Sequence, residues 1–292
     1  MILKVADLSL IIAPIDDILS LEYSPCHEKF LVEANVLQHY GNLTEKSLLL
    51  QIEDTPESPR SHLNKLLCEN EIWQLWLDKE ENFVFTQPKQ SPQRWILIDP
   101  DFQHGKIVGN FSGFNQMGIY PLQYIDIVIF SNWLANFGDM ILHASGFAYQ
   151  GEGYCFLGNS GAGKSTLVRD LSENHGVTVL GEDQVILRKM DDQILLFGTP
   201  WHETLDMCSP LGVPLKKIFF LDRDAPQVVA PVRDFDAVVQ IMQTAFYPIY
   251  RAEVLENILA NLSSLTGAMS FYSLAYKRGT DVLQAILDAG TS

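Results

Sequence analysis

The residues best suited to chemistry lie in one glycine-rich run near the middle of the chain. The run fits the pattern G-x-x-x-x-G-K-[ST] at every specified position and extends through Gly158, Asn159, Ser160, Gly161, Ala162, Gly163, Lys164, Ser165 and Thr166. Its glycines allow a tight turn that points successive backbone N–H groups at anionic oxygens. The lysine ammonium can reach the β- and γ-phosphates of a nucleotide, and the serine hydroxyl can ligate Mg²⁺. The run therefore predicts a site for nucleotide phosphate.

The elements on either side of this run support the same interpretation. Residues 153–157 are a short apolar stretch typical of a strand, and residues 165–172 continue as a helix. A helix that begins at the loop presents the positive end of its dipole to the phosphates. The alternative interpretation is a glycine-rich turn with an incidental lysine. The strand–loop–helix order favours the phosphate site over that alternative.

Three other polar residues lie close to predicted strands. His143 falls within residues 140–150, an apolar stretch that predicts a strand forming a hairpin with the strand before the loop. Glu182 and Asp183 follow residues 176–180, the strand predicted after the loop helix. An acidic pair after a strand also fits an ordinary solvated turn, and a lone histidine also fits a hydrogen-bonded core residue. Residue types alone leave these alternatives open.

Composition limits the class of protein. The chain has 292 residues, 47% of them hydrophobic, and a net charge of −16. That length allows one large or two small domains, and the negative charge argues against nucleic acid as the main partner. No apolar run approaches ~18 residues and the start has no basic region, so we expect neither a membrane span nor a signal peptide. The four cysteines are scattered, which favours a reducing cytoplasm over a metal or disulfide framework.

Two parts of the chain differ in their patterns. Residues 1–120 favour a smaller β-rich domain, with strands predicted at residues 3–13, 29–37, 47–53, 71–77, 82–86, 94–98 and 106–111. Residues 121–292 favour an α/β (α+β) nucleotide-binding domain that opens on a helix within residues 121–137. Beyond the acidic pair, the pattern predicts strands at residues 184–189, 193–197, 216–221 and 270–275. It predicts helices at residues 234–246, 253–265 and 280–289.

Taken together, the histidine, the phosphate loop and the acidic pair resemble the catalytic domain of HPr kinase/phosphorylase, which is related in fold to the ATP-dependent phosphoenolpyruvate carboxykinases. In that family a histidine followed by a small residue stands fifteen residues before the first loop glycine, as His143 and Ala144 do here. This similarity covers about residues 140–225. The whole chain also resembles a broad group of HPr-kinase-related proteins often found beside peptide-modification genes, through its LHASG run, its β-rich first half and residues 98–102 and 198–202.

This resemblance implies a phosphoenolpyruvate carboxykinase-like fold and transfer of the γ-phosphate of ATP, or of another nucleoside triphosphate, to a hydroxyl. The implied acceptor is a serine of a peptide or protein, or else a small-molecule hydroxyl. Lys164 and the loop amides would hold the phosphates, and Ser165 would hold Mg²⁺. Carried over from the family's order, Glu182 is the catalytic base and Asp183 the carboxylate beside the metal. His143 would hydrogen-bond within that carboxylate cluster.

Two departures from the family pattern bear on activity. Glu182 is one methylene longer than the family's usual aspartate, which displaces the carboxylate by about 1 Å, and a misplacement of that size can cost ~10²-fold in rate. The glycine-rich signature that follows the acidic pair in HPr kinases is not found here, so HPr itself is not the expected substrate. The alternative function is a nucleotide-binding sensor or adaptor with little catalysis. A transport or mechanical ATPase is disfavoured because no LSGGQ-like signature is found. The oligomeric state is left open.

Overall fold

The protein consists of two compact units, Met1–Phe130 and Ser131–Ser292. Its computed structural model describes residues 1–13, 23–32, 46–55, 58–89, 93–111, 120–202, 204–222 and 228–290. Each unit is built on a large mixed sheet, and the protein belongs to the mixed α/β class. Among the described residues, no helix combines the length and the apolar character needed to cross a membrane.

The first unit is a single sheet with a fully buried apolar interior that includes Leu10, Leu50 and Ile107. Its described residues contain one α-helix that lies wholly within the unit, α1 (Pro25–Glu28), a 3₁₀-helix at Pro59–His62, and nine strands: β1 (Ile2–Val5), β2 (Leu8–Ala13), β3 (Leu31–Val32), β4 (Ser47–Asp54), β5 (Leu63–Glu69), β6 (Gln74–Asp78), β7 (Phe83–Thr86), β8 (Arg94–Ile98) and β9 (His104–Gly109). The strand order is β3-β1-β2-β4-β9-β8-β7-β6-β5. Neighbours are antiparallel except that β4 runs parallel to both β2 and β9.

The start of the chain is a hairpin, whereas the apolar pattern predicts one strand over residues 3–13. Ala6 and Asp7 adopt left-handed φ values of 50° and 66° and form the two-residue turn between β1 and β2. Such turns usually carry Asn or Gly, so an alanine gives no turn signal. Of the strand predicted at residues 29–37, Leu31–Val32 is a strand, and residues 33–37 lie outside the described residues.

The strand predicted at residues 71–77 begins later and has a partner that the sequence did not predict. The Asn70 side chain accepts hydrogen bonds from the backbone N–H groups of Ile72 and Trp73 at 2.8 and 2.9 Å, and β6 starts after this turn. The neighbouring β5 is mostly exposed or half-buried and mixes polar with apolar residues. A strand of that composition lacks the apolar run by which buried strands are predicted.

The second unit contains ten strands among its described residues: β10 (Met140–His143), β11 (Ser145–Tyr149), β12 (Glu152–Leu157), β13 (Thr178–Gly181), β14 (Gln184–Met190), β15 (Gln193–Phe197), β16 (Gly212–Leu221), β17 (Val229–Val232), β18 (Ala245–Phe246) and β19 (Phe271–Leu274). Their order is β13-β11-β12-β16-β15-β14-β10-β18, with β19 also paired to β16 and β17. The helices are α2 (Asp126–Ala135), which contains the unit boundary, α3 (Lys164–His175), α4 (Asp234–Thr244), α5 (Ala252–Ala268) and α6 (Leu283–Asp288).

Helices cover both faces of this second sheet. Successive side chains of β12 point to opposite faces, as the pleat of a strand requires. Tyr154 and Phe156 pack in one apolar cluster with residues of α3 and α6. Cys155 and Leu157 pack in a second cluster with residues of α4 and α5. The sheet is thus fixed between two helical layers, and the ends of its strands are left to carry functional loops.

Residues 140–150, predicted as one strand, are two strands that separate at Ala144. β10 pairs with β14 and β18, whereas β11 pairs with β12 and β13. The predicted hairpin with the strand before the loop is present as β11–β12, with its turn at residues 150–151. His143 therefore lies on a different strand from the hairpin, because the pairing partners of the two halves are distant in sequence.

The other elements predicted for the second unit are present, β15 with its predicted ends and the rest with shifted ends. β16 begins at Gly212 instead of residue 216, and α6 begins at Leu283 instead of residue 280. α4 ends at Thr244, and the next two residues join the sheet as β18 instead of continuing the helix. β17 was not predicted, because its four residues are at most half-buried and include a proline.

Candidate functional site

The crossover from β12 through α3 to β13 brings the ends of three strands together. β11 lies between β12 and β13 and is antiparallel to both, so β12 and β13 run parallel to each other. Their carboxyl ends therefore lie at the same edge of the sheet as the amino end of β11. The phosphate loop follows β12, the acidic pair follows β13, and His143 precedes β11. Ligands of α/β sheets commonly bind outside the carboxyl ends of strands, and the sequence-predicted site residues collect at such an edge.

The phosphate loop has a backbone shape that its glycines allow. Gly161 and Gly163 have φ values of 77° and 102°, a region that residues with a Cβ rarely enter. The N–H of Ala162 donates to the carbonyl of Asn159 at 3.0 Å and closes a tight turn. Gly163 is the N-cap of α3, and a glycine has no side chain with which to cap the helix. The first N–H groups of α3 are therefore left for an anion to satisfy.

Lys164, the first residue of α3, is buried with its ammonium inside the site. Its Nζ donates to the carbonyl of Gly158 at 2.9 Å and lies 3.1 Å from Nε2 of His143. Burial lowers the pKa of Lys164, and the charge of the Asp183 carboxylate opposes that shift. A buried ammonium that keeps its charge favours a further anionic partner, such as a phosphate oxygen.

His143 bridges this lysine and the second residue of the acidic pair. Its Nδ1 lies 3.1 Å from Oδ1 of Asp183, and its Nε2 lies 3.1 Å from Nζ of Lys164. An ammonium can only donate, so Lys164 donates and Nε2 of His143 accepts. The result is a chain of contacts from the phosphate loop through Lys164 and His143 to Asp183.

The carbonyl oxygen of Glu182 accepts hydrogen bonds from two serine hydroxyls. Ser165 Oγ, at the start of α3, donates to it at 3.2 Å, and Ser145 Oγ, at the start of β11, also donates to it. The turn after β13 is thereby tied to the phosphate loop helix and to the hairpin. Sequence reasoning did not predict a role for Ser145, although it belongs to the LHASG run that carries the family resemblance.

The two acidic side chains of the pair have different neighbours. Glu182 is largely covered, with 13% of its side chain exposed, and its Oε2 lies 3.4 Å from Nη2 of Arg169 on α3. Asp183 is 48% exposed and contacts His143. Asp183 is therefore the carboxylate that this structure places in contact with the lysine–histidine chain. The assignment of Glu182 as the base stays a prediction, and it requires the Glu182 carboxylate to leave Arg169.

Thr199 and His202 contact the Gly181–Gln184 turn, which carries the acidic pair. The Thr199 hydroxyl donates to the carbonyl of Gln184 at 2.9 Å and lies 3.0 Å from Nε2 of His202. The His202 ring packs so close to Gly181 that a Cβ there would lie 2.8 Å from Nε2. Sequence reasoning included these residues in the resemblance but gave them no role. Their contacts indicate that they position the Gly181–Gln184 turn.

His202 makes the stability of the protein depend on pH. Burial lowers the pKa of His202 to about 4. Below pH ~6.5 the unfolded chain binds a proton that the folded ring excludes, so the free energy of unfolding falls by about 1.4 kcal/mol per pH unit down to the folded-state pKa. We expect His202→Gln, which keeps an N–H donor for Thr199, to remove that slope. Urea unfolding of the wild type and of the variant at pH 7, 6 and 5 measures how the free energy of unfolding changes with pH. Equal slopes in the two proteins would contradict the assignment of this pH dependence to His202.

An open pocket of about 300 Å³ adjoins the phosphate loop. Its walls come from the loop, from His143, and from the end of α4 with the strand that follows. The described lining residues are His143, Leu157, Gly158, Asn159, Ser160, Gln240, Gln243, Thr244, Ala245 and Phe246. The glutamines were not predicted as site residues, because their placement depends on the pairing of β18 with β10 and on no local motif.

Ser165 and Asp183 are the predicted Mg²⁺ ligands, and their donor set fits a shared site with a nucleotide. Among the described residues, no group of three or more His, Cys, Asp or Glu side chains could hold a metal ion by itself. Mg²⁺ is usually bound through one or two carboxylates together with substrate phosphates and water. One hydroxyl and one carboxylate at the edge of the phosphate loop match that kind of site.

Among the three comparisons with known proteins, only the search of solved structures finds matches, and the one described here is distant. Neither a protein-family model nor a curated protein matches the chain. Among solved structures, the chain is similar to the Hpr(Ser) kinase/phosphatase from Coxiella burnetii, with 15% identity over 44% of this chain and 99% of that one. The TM-score of this match is 0.25, so the two chains share too little common geometry to decide a fold or a function.

Proposed function

We propose that the second unit is an ATP-dependent phosphotransferase that moves the γ-phosphate to a hydroxyl, with a serine of a peptide or protein as the acceptor. The observation that carries this proposal is the chain of contacts Lys164–His143–Asp183, a hydrogen bond followed by a 3.1 Å ion-pair contact, which joins a phosphate loop to an acidic turn at one edge of a sheet. Phosphoryl transfer depends mainly on positioning and charge neutralisation, and it needs a carboxylate near the attacking hydroxyl. The proposal includes a phosphoenolpyruvate carboxykinase-like arrangement of this unit.

The phosphate loop binds the nucleotide in this proposal. The N–H groups of the loop and of the first turn of α3 hold the β- and γ-phosphates of ATP or of another nucleoside triphosphate. Lys164 exchanges one of its two present contacts, Gly158 or His143, for a phosphate oxygen. Ser165 and Asp183 would hold Mg²⁺, Ser165 through the hydroxyl that donates to the Glu182 carbonyl in this structure and Asp183 through its carboxylate. Mg²⁺, when bound with the nucleotide, neutralises charge on the phosphates.

The chemical step transfers one phosphoryl group. The acceptor oxygen forms a bond to the γ-phosphorus while the bond to the bridging β-oxygen breaks, so the products are a phosphate ester and a nucleoside diphosphate. The acceptor proton passes to a carboxylate, which the family resemblance assigns to Glu182. His143 keeps the Asp183 carboxylate in place through the 3.1 Å contact of its Nδ1. Each of these roles is a separate target for mutation.

A nucleotide-binding sensor or adaptor with little catalysis is the second candidate. The contact between Glu182 and Arg169 supports it, because a base engaged by a guanidinium is not directed at an acceptor. Both candidates share two further proposals. The first unit recognises a partner, and the protein works in a reducing cytoplasm. A small-molecule acceptor and an oligomeric assembly are also compatible with both.

A labelled transfer assay distinguishes the two candidates. The protein is incubated with Mg²⁺ and ATP labelled at the γ-phosphate, and in parallel with ATP labelled at the α-phosphate, in the presence of degenerate serine-containing peptides. We expect label in the peptides from the γ-labelled nucleotide alone, and release of nucleoside diphosphate in equal amount. Nucleotide binding with no labelled peptide, whatever the pool, would favour the sensor.

A further inference from the structure

The helix that walls the pocket also carries an exposed apolar stripe. Phe235 and Val239 on α4 are 77% and 39% exposed. Together with Gln243 they are spaced four residues apart, which places all three along one side of the helix. Gln243 is itself exposed and lines the pocket beside the phosphate loop. The stripe therefore leads along α4 directly into that pocket.

The same path continues onto the sheet edge. Phe246 of β18 is 42% exposed and also lines the pocket. β18 stands at the end of the strand order and pairs with β10, the strand that carries His143. The pocket thus lies between the stripe and the lysine–histidine chain. Exposed large apolar side chains that continue into a pocket mark an interaction surface more often than single exposed residues do.

The dimensions of the stripe fit an extended peptide. One four-residue step along a helix is about 6 Å, since the rise is about 1.5 Å per residue. Two residues of an extended chain cover about 6.6 Å and point their side chains the same way. A peptide with its hydroxyl in the pocket at Gln243 would place its second residue over Val239 and its fourth over Phe235. One face of the peptide would therefore meet the whole stripe.

The chemistry of the pocket indicates what surrounds the acceptor hydroxyl. Of the described residues that line it, His143 alone is ionisable, and the others present amides, hydroxyls and apolar groups. These described lining residues include no lysine or arginine that could pair with an acidic acceptor. In the first turn of α4, Asp234 and Asp236 flank Phe235, and Asp236 pairs with the exposed Arg233 at 2.7 Å, so charges of both signs lie beside Phe235.

We propose that the α4 stripe of Phe235, Val239 and Gln243 binds the acceptor as an extended peptide with apolar residues at the second and fourth positions to one side of the phosphorylated hydroxyl. This inference rests on the proposed phosphotransferase function and adds the sequence preference of the substrate. The preference comes from apolar contact, and its spacing comes from the match between one helical step and two extended residues.

Peptide pools of defined pattern test the inference. Each biotinylated pool has a central serine, one fixed position that is Leu, Lys, Glu or Gly, and mixtures elsewhere. Both phosphate transfer from γ-labelled ATP and direct binding of the pools to the immobilised protein are measured. We expect Leu to exceed Gly about tenfold at the second and fourth positions on one side, the usual effect of an apolar anchor at an interface.

Single substitutions then assign each preference to one residue. Val239→Ser should flatten the preference at the second position, and Phe235→Ser the preference at the fourth. Leu259→Ser on α5, where the side chain is 46% exposed, is the matched control and should change neither. A position-specific loss cannot come from misfolding, because misfolding lowers every pool equally.

The outcomes separate this inference from the function on which it rests. Two results would contradict peptide binding at the stripe and leave the phosphotransferase function unaffected. These are transfer with no apolar preference, and an apolar preference that persists in both variants. Selective binding without transfer to any pool overturns the phosphotransferase and retains the stripe as a peptide site. A wild-type dimer in light scattering that Val239→Ser converts to a monomer assigns the stripe to a second copy of the chain and overturns the inference.

Discussion

Glu182→Gln is expected to lower the rate of phosphoryl transfer by about 10²–10⁴-fold, the usual share of general-base catalysis. Glutamine keeps the size of the side chain and removes its basicity. Nucleotide affinity should change little, because the loop amides and Lys164 bind the phosphates in our account. The measurement is single-turnover transfer from γ-labelled ATP to the best serine peptide, with hydrolysis and nucleotide affinity recorded alongside.

Arg169→Gln provides the matched control for this substitution. It breaks the same ion pair, in which Nη2 lies 3.4 Å from the Glu182 carboxylate, and it leaves the carboxylate itself intact. If Glu182 is the base, Arg169→Gln should retain or increase transfer because the carboxylate is released. An equal loss in the two variants would show that the ion pair matters for structure and that Glu182 is not the base.

Two further variants separate the members of the acidic pair. Asp183→Asn removes the charge that faces His143, and it should weaken Mg²⁺-dependent nucleotide binding together with turnover. Glu182→Asp restores the residue usual in the resembling family and should retain or raise transfer. One pair of results would identify Asp183 as the base. Asp183→Asn would lose all transfer while its nucleotide binding kept the same Mg²⁺ dependence, and Glu182→Gln would stay fully active. That exchange of roles is compatible with the side-chain directions in the structure.

Much of the second unit follows from local sequence. The strand–loop–helix passage around Lys164 could be predicted because it depends on glycines, one lysine and short-range periodicity. Strand β15 was predicted at its observed ends, since an apolar run bounded by turn residues marks it. The positive φ values of Gly161 and Gly163 agree with the reason for expecting glycine there.

Features that depend on distant partners could not be predicted in the same way. Residues 140–150 form one apolar run, and nothing within it marks the separation at Ala144. That separation arises because β10 and β11 pair with different strands, and the N–H of Ala144 donates to the carbonyl of Asp183 at 3.0 Å. The pocket wall on α4 depends similarly on the two-residue pairing of β18 with β10.

The directions of the two acidic side chains also could not be predicted from the local sequence pattern. Two consecutive carboxylates after a strand give no indication of which one faces the phosphate loop. Here the family order assigns the base to Glu182, whereas the contacts direct Glu182 to Arg169 and Asp183 to His143. The difference matters because base and metal ligand are distinguished by geometry at the scale of about 1 Å.

Lys164→Ala is expected to weaken Mg–ATP binding by about 10²-fold or more, because it removes the buried charge that the phosphates would contact. Lys164→Met keeps the length of the side chain and should behave alike, which separates the loss of charge from the loss of volume. Lys216→Ala is the control. Its ammonium contacts Glu152 at 2.7 Å, at the opposite end of β12 from the phosphate loop, and its loss should leave nucleotide binding intact.

Thermal unfolding with and without Mg–ATP tests the central claim most directly. A ligand that binds the folded state at about 100 times its Kd adds about 2.7 kcal/mol of stability, or roughly 5–10 °C in Tm for a unit of this size. We predict that shift for the wild type and for Lys216→Ala, a smaller one without Mg²⁺, and at most about 1 °C for Lys164→Ala or Lys164→Met, since an affinity ~10²-fold weaker leaves about 0.4 kcal/mol at the same ligand concentration. Equal shifts in the wild type and both Lys164 variants would place the nucleotide elsewhere and contradict the phosphate-loop site.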